Sequence, residues 1–405
     1  MEESLQKVAH RGRLTWICYL CYFFTGSLVT VTGMVLGPIA DYYGVKPGNI
    51  DYIFTVQNGA MAVIILMGGM LMKKVRLKKL FLLAIVTEFV GMALMQSFIT
   101  MPWSFVLFMG VIGFSGGMFM ALASFLIVRI HPDPQERSTR LVMADFFFSF
   151  SGVVVPYVAG VLLGQNVFWI VIYYLISMVG VAMLFMVVIS RFPNVVGEAQ
   201  DNATLYKEKW GLSIFLVAAS CYFFIMGELV FSQWLPEYLE KYINLSVETA
   251  GTYTSLFWMA MAVGLFVGRF VIKKFHLGSF IIGCYALATL FLTLTTLIPN
   301  AAVIAVCIVL CGLFNSVVYA SMIAYASLQV KHTPPTLISF ILAIGTLGTM
   351  SSSPVSGFIA NTVSIQAAFT SCFILYIIGF VLFVIARIFS KAEKIHGPLK
   401  GNPAE

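Results

Sequence analysis

The feature that most constrains this chain is a series of twelve apolar stretches, each long enough to cross a bilayer. At about 1.5 Å of rise per residue, a helix needs roughly 20 apolar residues to span the hydrocarbon core. The stretches run at roughly 14–37, 51–72, 80–99, 103–128, 141–164 and 167–189, then 211–235, 250–272, 278–298, 301–325, 336–360 and 365–388. Pro, Gly, Asn and charged residues collect in the breaks between them. Only 10% of the 405 residues are charged and 60% are hydrophobic, too little polar surface to cover a soluble globule. The expectation is an all-α membrane protein with twelve transmembrane helices.

The basic residues test this count independently. With a cytoplasmic N-terminus, 22 of the 24 Lys and Arg residues fall at cytoplasmic ends, loops or tails, and only Lys46 and Lys241 lie outside. That is the bias cytoplasmic loops carry, and one miscounted span would scramble it. The net charge of +7 is therefore topological, and nucleic acid is not an expected partner. The lipid bilayer is. Both termini are expected in the cytoplasm and the chain in the cell inner membrane. All seven cysteines lie in apolar segments, as small core residues do. No histidine accompanies them there, so no metal is expected, and no nucleotide-binding motif appears, so no cofactor is. No arrangement suited to catalysis lies within the spans, so the chain is not expected to be an enzyme.

The two halves repeat at an offset near 200. Cys21-Tyr22-Phe23-Phe24 returns as Cys221-Tyr222-Phe223-Phe224, and Lys73-Lys74 returns as Lys273-Lys274. Gly113-Phe114 is matched by Gly312-Leu313, and Pro156 with Gly160 by Pro354 with Gly357. The repeat predicts two six-helix bundles, residues 1–190 and 210–390, joined by a cytoplasmic linker at 191–209 and followed by a tail at 391–405. Parallel repeats of this kind are related by an axis along the membrane normal and enclose a central cavity. Pro156 and Pro354 are expected to kink their helices.

Three acids fall inside the apolar spans: Glu88, Asp145 and Glu228. A charged group at the bilayer centre costs about 2.5–3.5 kcal/mol on insertion scales, so each needs a partner, a proton or water. Glu228 sits mid-span and is the leading candidate for proton coupling and solute contact. Asp145 is the second proton-coupling candidate. It either lines the cavity or pairs with Arg129, Arg137 or Arg140. Among neutral groups, Gln57 and Asn58 in the second span, Asn315 and Tyr319 in the tenth, and Trp234 in the seventh suit a hydroxylated solute. Each could equally make an interhelical hydrogen bond or pack. Asn315 and Tyr319, four apart, share a helix face.

Several motifs resemble the major facilitator superfamily and, within it, the fucose–proton symporters. Gly69-Met70-Leu71-Met72-Lys73-Lys74 is similar to the basic signature after helix 2. Arg140-Leu141 with Ala144-Asp145 and Phe148-Ser149-Phe150-Ser151-Gly152 is similar to the helix-5 motif. Gly227-Glu228 with Trp234-Leu235 and Tyr238 resembles helix 7, and Gly268-Arg269-Phe270 the end of helix 8. Leu14-Thr15-Trp16, Thr25-Gly26 and Ile39-Ala40-Asp41-Tyr42 resemble the TsgA-type members. The resemblance implies the major facilitator fold, a small-molecule solute, a proton gradient as driving force, and a cytoplasmic gate at Lys73, Lys74 and Arg140. A monomer is the expectation. The departures are specific. No acid lies between Gly26 and Gly37, and Gly113 to Phe125 lacks the helix-4 Glu. The leading reading is secondary active transport of a small polar, sugar-like solute. The alternatives are efflux of another small compound, or a membrane sensor of transporter fold.

Overall fold

The computed structural model describes residues 11–131, 133–193, 210–330 and 335–390. Among them are helices and connecting turns, and no strand. We number the helices by span. The first half holds α1a (Arg11–Thr30), α1b (Thr32–Tyr43), α2 (Pro47–Lys74), α3 (Leu77–Ser97), α4 (Pro102–Ile130), α5 (Pro134–Gly164) and α6 (Ile170–Ile189). The second holds α7 (Leu212–Lys241), α8 (Val247–Val271), α9 (Leu277–Leu297), α10a (Ala301–Asn315), α10b (Val318–Ser327), α11 (Pro335–Thr362) and α12 (Ile365–Ile388).

Among the described residues, nine helices are each long and apolar enough to cross a membrane, with α10a and α10b counted together. The bent pair α1a–α1b makes a tenth. α2 and α11 are each 28 residues long, enough to cross a bilayer by length. Both carry buried polar residues. Asp51 and Gln57 on α2, and Ser352, Ser353 and Ser356 on α11, are fully buried, so these groups turn toward protein. The outer faces are apolar. On α6, Met178, Val181, Phe185 and Val188 form one exposed stripe, and Phe185 is 68% exposed. Such a stripe suits lipid as solvent and would be a liability in water.

The chain divides into two compact units, Met1–Gln200 and Asp201–Glu405. The same pairs of helices pack in each. α1 meets α5 and α6 as α7 meets α11 and α12, α2 meets α4 as α8 meets α10, and α3 meets α6 as α9 meets α12. The repeat also extends to individual contacts. A Cβ on Gly113 of α4 would stand 2.8 Å from Gln57 Cα on α2, and one on Gly312 of α10a would stand 2.5 Å from the Phe257 carbonyl on α8. Positions 57 and 257 are one repeat apart. Glycine at both places lets two helix backbones touch.

Two spans expected to be continuous are broken. α1a and α1b meet at 49° around Val31. The break falls in Thr30-Val31-Thr32-Gly33, three β-branched residues and a glycine, all poor helix formers. Gln57 Nε2 donates to the Leu28 carbonyl just before it (3.1 Å), and Thr32 Oγ1 donates to the Val29 carbonyl (2.8 Å). Side chains thus serve carbonyls near the bend. α1b ends on Gly44, whose φ of 63° is the left-handed cap that favours glycine. The second break separates α10a from α10b at Ser316-Val317, where Ser316 Oγ donates back to the Leu313 carbonyl (2.8 Å). Gly264 and Gly268 of α8 lie against this break, facing Ser316 and Val317.

Basic residues also act as caps. Lys78 Nζ donates to the Val188 and Ser190 carbonyls (2.8 and 3.1 Å), and Arg13 Nη1 to the Ile189 carbonyl (3.3 Å). Two cations therefore hold the negative end of α6.

Candidate functional site

In the second unit, α10a, α10b and α12 bring polar groups to Glu228 of α7. Glu228 lies mid-way along α7 and is partly buried. Asn315 closes α10a just before the break and is 1% exposed. Its Oδ1 accepts a 2.7 Å hydrogen bond from Tyr376 Oη on α12. That bond fixes the amide, because the carbonyl side is occupied and Nδ2 is turned the other way. Nδ2 is buried and turned toward the Glu228 carboxyl, its hydrogen-bonding neighbour, without closing to full hydrogen-bond geometry. Tyr319 on α10b and Tyr376 also act electrostatically on Glu228.

Glycines make room for these rings. A Cβ on Gly227 would stand 2.6 Å from the Tyr376 ring, and one on Gly345 of α11 would stand 2.5 Å from Tyr319 Oη. The residue before Glu228 therefore lets α12 approach closely, and α11 receives the Tyr319 hydroxyl. A half-buried carboxyl, a fixed amide with a spare donor and two phenols offer donors and acceptors together. That is the chemistry that recognises hydroxyl groups.

Three of the sequence candidates, Glu228, Asn315 and Tyr319, thus come together. Tyr376 was not among them. Only its position in the twelfth span, facing Gly227, marks it, and one apolar-rich helix gives no such signal. Trp234 is in the same unit but fully buried, six residues beyond Glu228 and so on another face of α7. It packs in the core.

The first unit has a smaller polar group. Asp145 is exposed on α5. Tyr22 on α1a lies within its electrostatic reach and shares a 2.7 Å hydrogen bond with Ser124 of α4. Phe146 and Phe150 follow Asp145 on α5 and stack on each other at 5.9 Å between centroids. Tyr22 and Ser124 were not among the sequence candidates. Gln57 is fully buried and makes the interhelical bond to α1a already described. Asn58 is 7% exposed. Glu88 on α3 is also fully buried, its carboxyl against Gly180 of α6, where a Cβ would stand 2.8 Å from Glu88 Cδ. Arg140 turns to Glu136 (3.5 Å) on its own helix. Lys74 is exposed, and the Lys73 side chain lies outside the described ones.

Among the described residues no three His, Cys, Asp or Glu side chains are placed to hold a metal ion. The seven cysteines are free, and all but Cys284 are buried.

Comparisons with known proteins agree with the fold. The sequence profile of the Major Facilitator Superfamily matches residues 16–335. The protein TsgA homolog of Yersinia enterocolitica serotype O:8 / biotype 1B is 33% identical over 391 residues, covering 96% of this chain and 98% of that protein. The crystal structure of a D-xylose-proton symporter superposes with a TM-score of 0.74 at 11% identity, covering 98% of this chain and 100% of that one. The outward conformation of the transporter FucP gives 0.60 at 16% identity, covering 93% and 99%. With the helical spans, the repeated bundles and a profile match over most of its length, the chain is a transporter that belongs to the Major Facilitator Superfamily, among the TsgA-type proteins.

Proposed function

We propose that this chain moves a small, polar, hydroxylated solute across the inner membrane by alternating access, driven by a proton gradient. Glu228 carries the proton, and Asn315, Tyr319 and Tyr376 bind the solute beside it. The observation that carries this reading is the Asn315 amide, held by Tyr376 with its Nδ2 turned to the Glu228 carboxyl. An amide nitrogen carries two hydrogens, so with one toward Glu228 the other still lacks an acceptor, which costs about 1–3 kcal/mol and which a bound hydroxyl would supply. The Tyr376 bond prevents the amide from simply rotating to hide that donor.

The D-xylose-proton symporter supports a sugar-like solute by its fold. Loss of the helix-1 and helix-4 acids leaves Glu228 as the coupling carboxyl, with Asp145 as the second candidate. Lys74 and Arg140, with Lys73, stand on the side assigned to the cytoplasm by the distribution of basic residues, where both termini also belong.

The test is uptake into proteoliposomes with an imposed inward proton gradient, first with D-xylose and L-fucose and then with a panel of neutral sugars and nucleosides. Accumulation that collapses with a protonophore is expected for at least one of them. In that assay Asn315→Leu is expected to weaken half-saturation by roughly tenfold, the factor for one lost hydrogen bond to a buried polar group. Uptake indifferent to the gradient across the whole panel would refute proton-driven accumulation of this solute class.

A further inference from the structure

His131 follows α4 directly, ahead of the apolar part of α5, which begins at Thr139. Its ring is 3% exposed and contacts two other helices. Nε2 is 3.0 Å from Thr15 Oγ1 on α1a, and Nδ1 is 3.0 Å from Glu136 Oε1 in the first turn of α5. The hydrogen positions follow from counting. Thr15 Oγ1 has one hydrogen and gives it to the Arg11 carbonyl (2.9 Å). With that bond kept, Thr15 accepts from His131 and Nε2 carries a hydrogen; Nε2 accepts only if Thr15 turns its hydrogen to the ring instead. In the first arrangement a neutral ring leaves Nδ1 bare, 3.0 Å from a carboxylate oxygen and with no hydrogen bond completed there. Two acceptors hold that distance only with a proton between them.

Glu136 also has another place to go. Asp133 caps α5, its Oδ2 accepting from Glu136 N at 2.7 Å. A glutamate three residues after the cap ordinarily reaches back to the cap's own backbone N–H. Here it reaches His131 and, at 3.5 Å, Arg140. The first turn of α5 thus offers one carboxylate two positions, and His131 is the partner in one of them.

We propose that His131 is a proton-binding latch, in which proton uptake at Nδ1 docks Glu136 and ties the start of α5 to the ends of α4 and α1a. The latch uses only first-unit residues and does not depend on the role of Glu228. The charged groups acting on the ring are Glu136 and Arg140 from α5 and Arg11 from α1a. On its own helix Arg129 lies over the Phe125 ring. Burial pushes the imidazole below its ordinary value, Glu136 pulls it up, and Arg140 and Arg11 push it down. The linked pair is the proton and Glu136. Because Glu136 raises proton affinity, protonation must favour its docking by the same factor. The latch closes as pH falls below the ordinary imidazole range, and Glu136 returns to its cap above it.

The test uses the purified full-length protein with ring-¹⁵N histidine, His131 being assigned by His131→Gln, together with hydrogen exchange of the α5 first turn corrected for intrinsic rates. Between about pH 8 and about pH 5 both ring nitrogens should become protonated, and exchange should slow by roughly tenfold, the factor for one charge-assisted hydrogen bond. Glu136→Ala should exchange fast at both ends of this range and should lower the pH at which the ring titrates. Glu136→Gln separates the latch from a plain ion pair. Its amide donates to the bare Nδ1, so this variant should be slow at both ends and indifferent to pH. A Glu136→Gln variant that exchanges like Glu136→Ala, or a wild-type protein whose α5 start ignores pH, would overturn the latch.

Discussion

Glu228→Gln is expected to abolish uphill accumulation of solute while leaving solute-for-solute exchange across the membrane. Glutamine preserves the size of the side chain and can still meet Asn315 and the two phenols, but it cannot carry a proton. With one proton per solute, an inward gradient of one pH unit supports about tenfold accumulation, equal to about 1.4 kcal/mol. The variant should fall to a ratio of one and still exchange labelled for unlabelled solute. The comparison with Glu228→Ala adds the binding role, since removal of the carboxyl and its carbonyl oxygen should weaken exchange as well. Unchanged accumulation in Glu228→Gln would transfer the coupling role to Asp145, which is exposed on α5 beside Tyr22. Asp145→Asn is the matching measurement.

The largest effect on folding is expected from Gly113→Ala. Its added methyl would stand 2.8 Å from Gln57 Cα, a backbone atom of α2, and helix backbone cannot give way as a flexible side chain can. Overpacking a tight site costs about 1–3 kcal/mol, and the upper end applies here. The same shift would pull Gln57 away from the Leu28 carbonyl before the bend in α1. Gly283→Ala is the control, because nothing lies within 4 Å of its added methyl. Thermal unfolding of purified protein should show Gly113→Ala melting well below wild type and Gly283→Ala unchanged. Equal melting of the two variants would contradict the backbone contact.

The helical architecture was legible because lipid imposes it. Backbone groups in hydrocarbon must pair within the helix, so length and apolarity mark each span. The repeat was legible for a related reason. Gly113 and Gly312 recur because the same two helices touch in each unit, and that contact tolerates nothing larger. The breaks in α1 and α10 were not read. Apolarity is continuous across Val31 and Val317, and a helix bent between lipid and protein has the same composition as a straight one. Side-chain bonds such as Gln57 to Leu28 mark the first bend, and these depend on a neighbouring helix.

The candidate site was partly legible. Glu228 stands out because an acid in an apolar span is costly, and Asn315 and Tyr319 stand out as polar groups one turn apart. Tyr376 did not, because a tyrosine among many aromatics carries no mark until its hydroxyl is seen on Asn315 Oδ1. Gln57 shows the reverse. Its sequence setting suits solute contact as well as helix pairing, and the structure uses its Nε2 for pairing. His131 was passed over because it lies outside the apolar spans, where a histidine is usually solvated.

The central claim, that solute and proton move together through Glu228, is tested most directly by solute-induced proton movement. Lightly buffered proteoliposomes are given a transported solute on one side, with no imposed pH gradient, and external pH is followed. External alkalinisation is expected on solute addition in the wild type and none in Glu228→Gln, at equal solute exchange. Solute entry without proton movement in the wild type, or the same alkalinisation in Glu228→Gln, would contradict it.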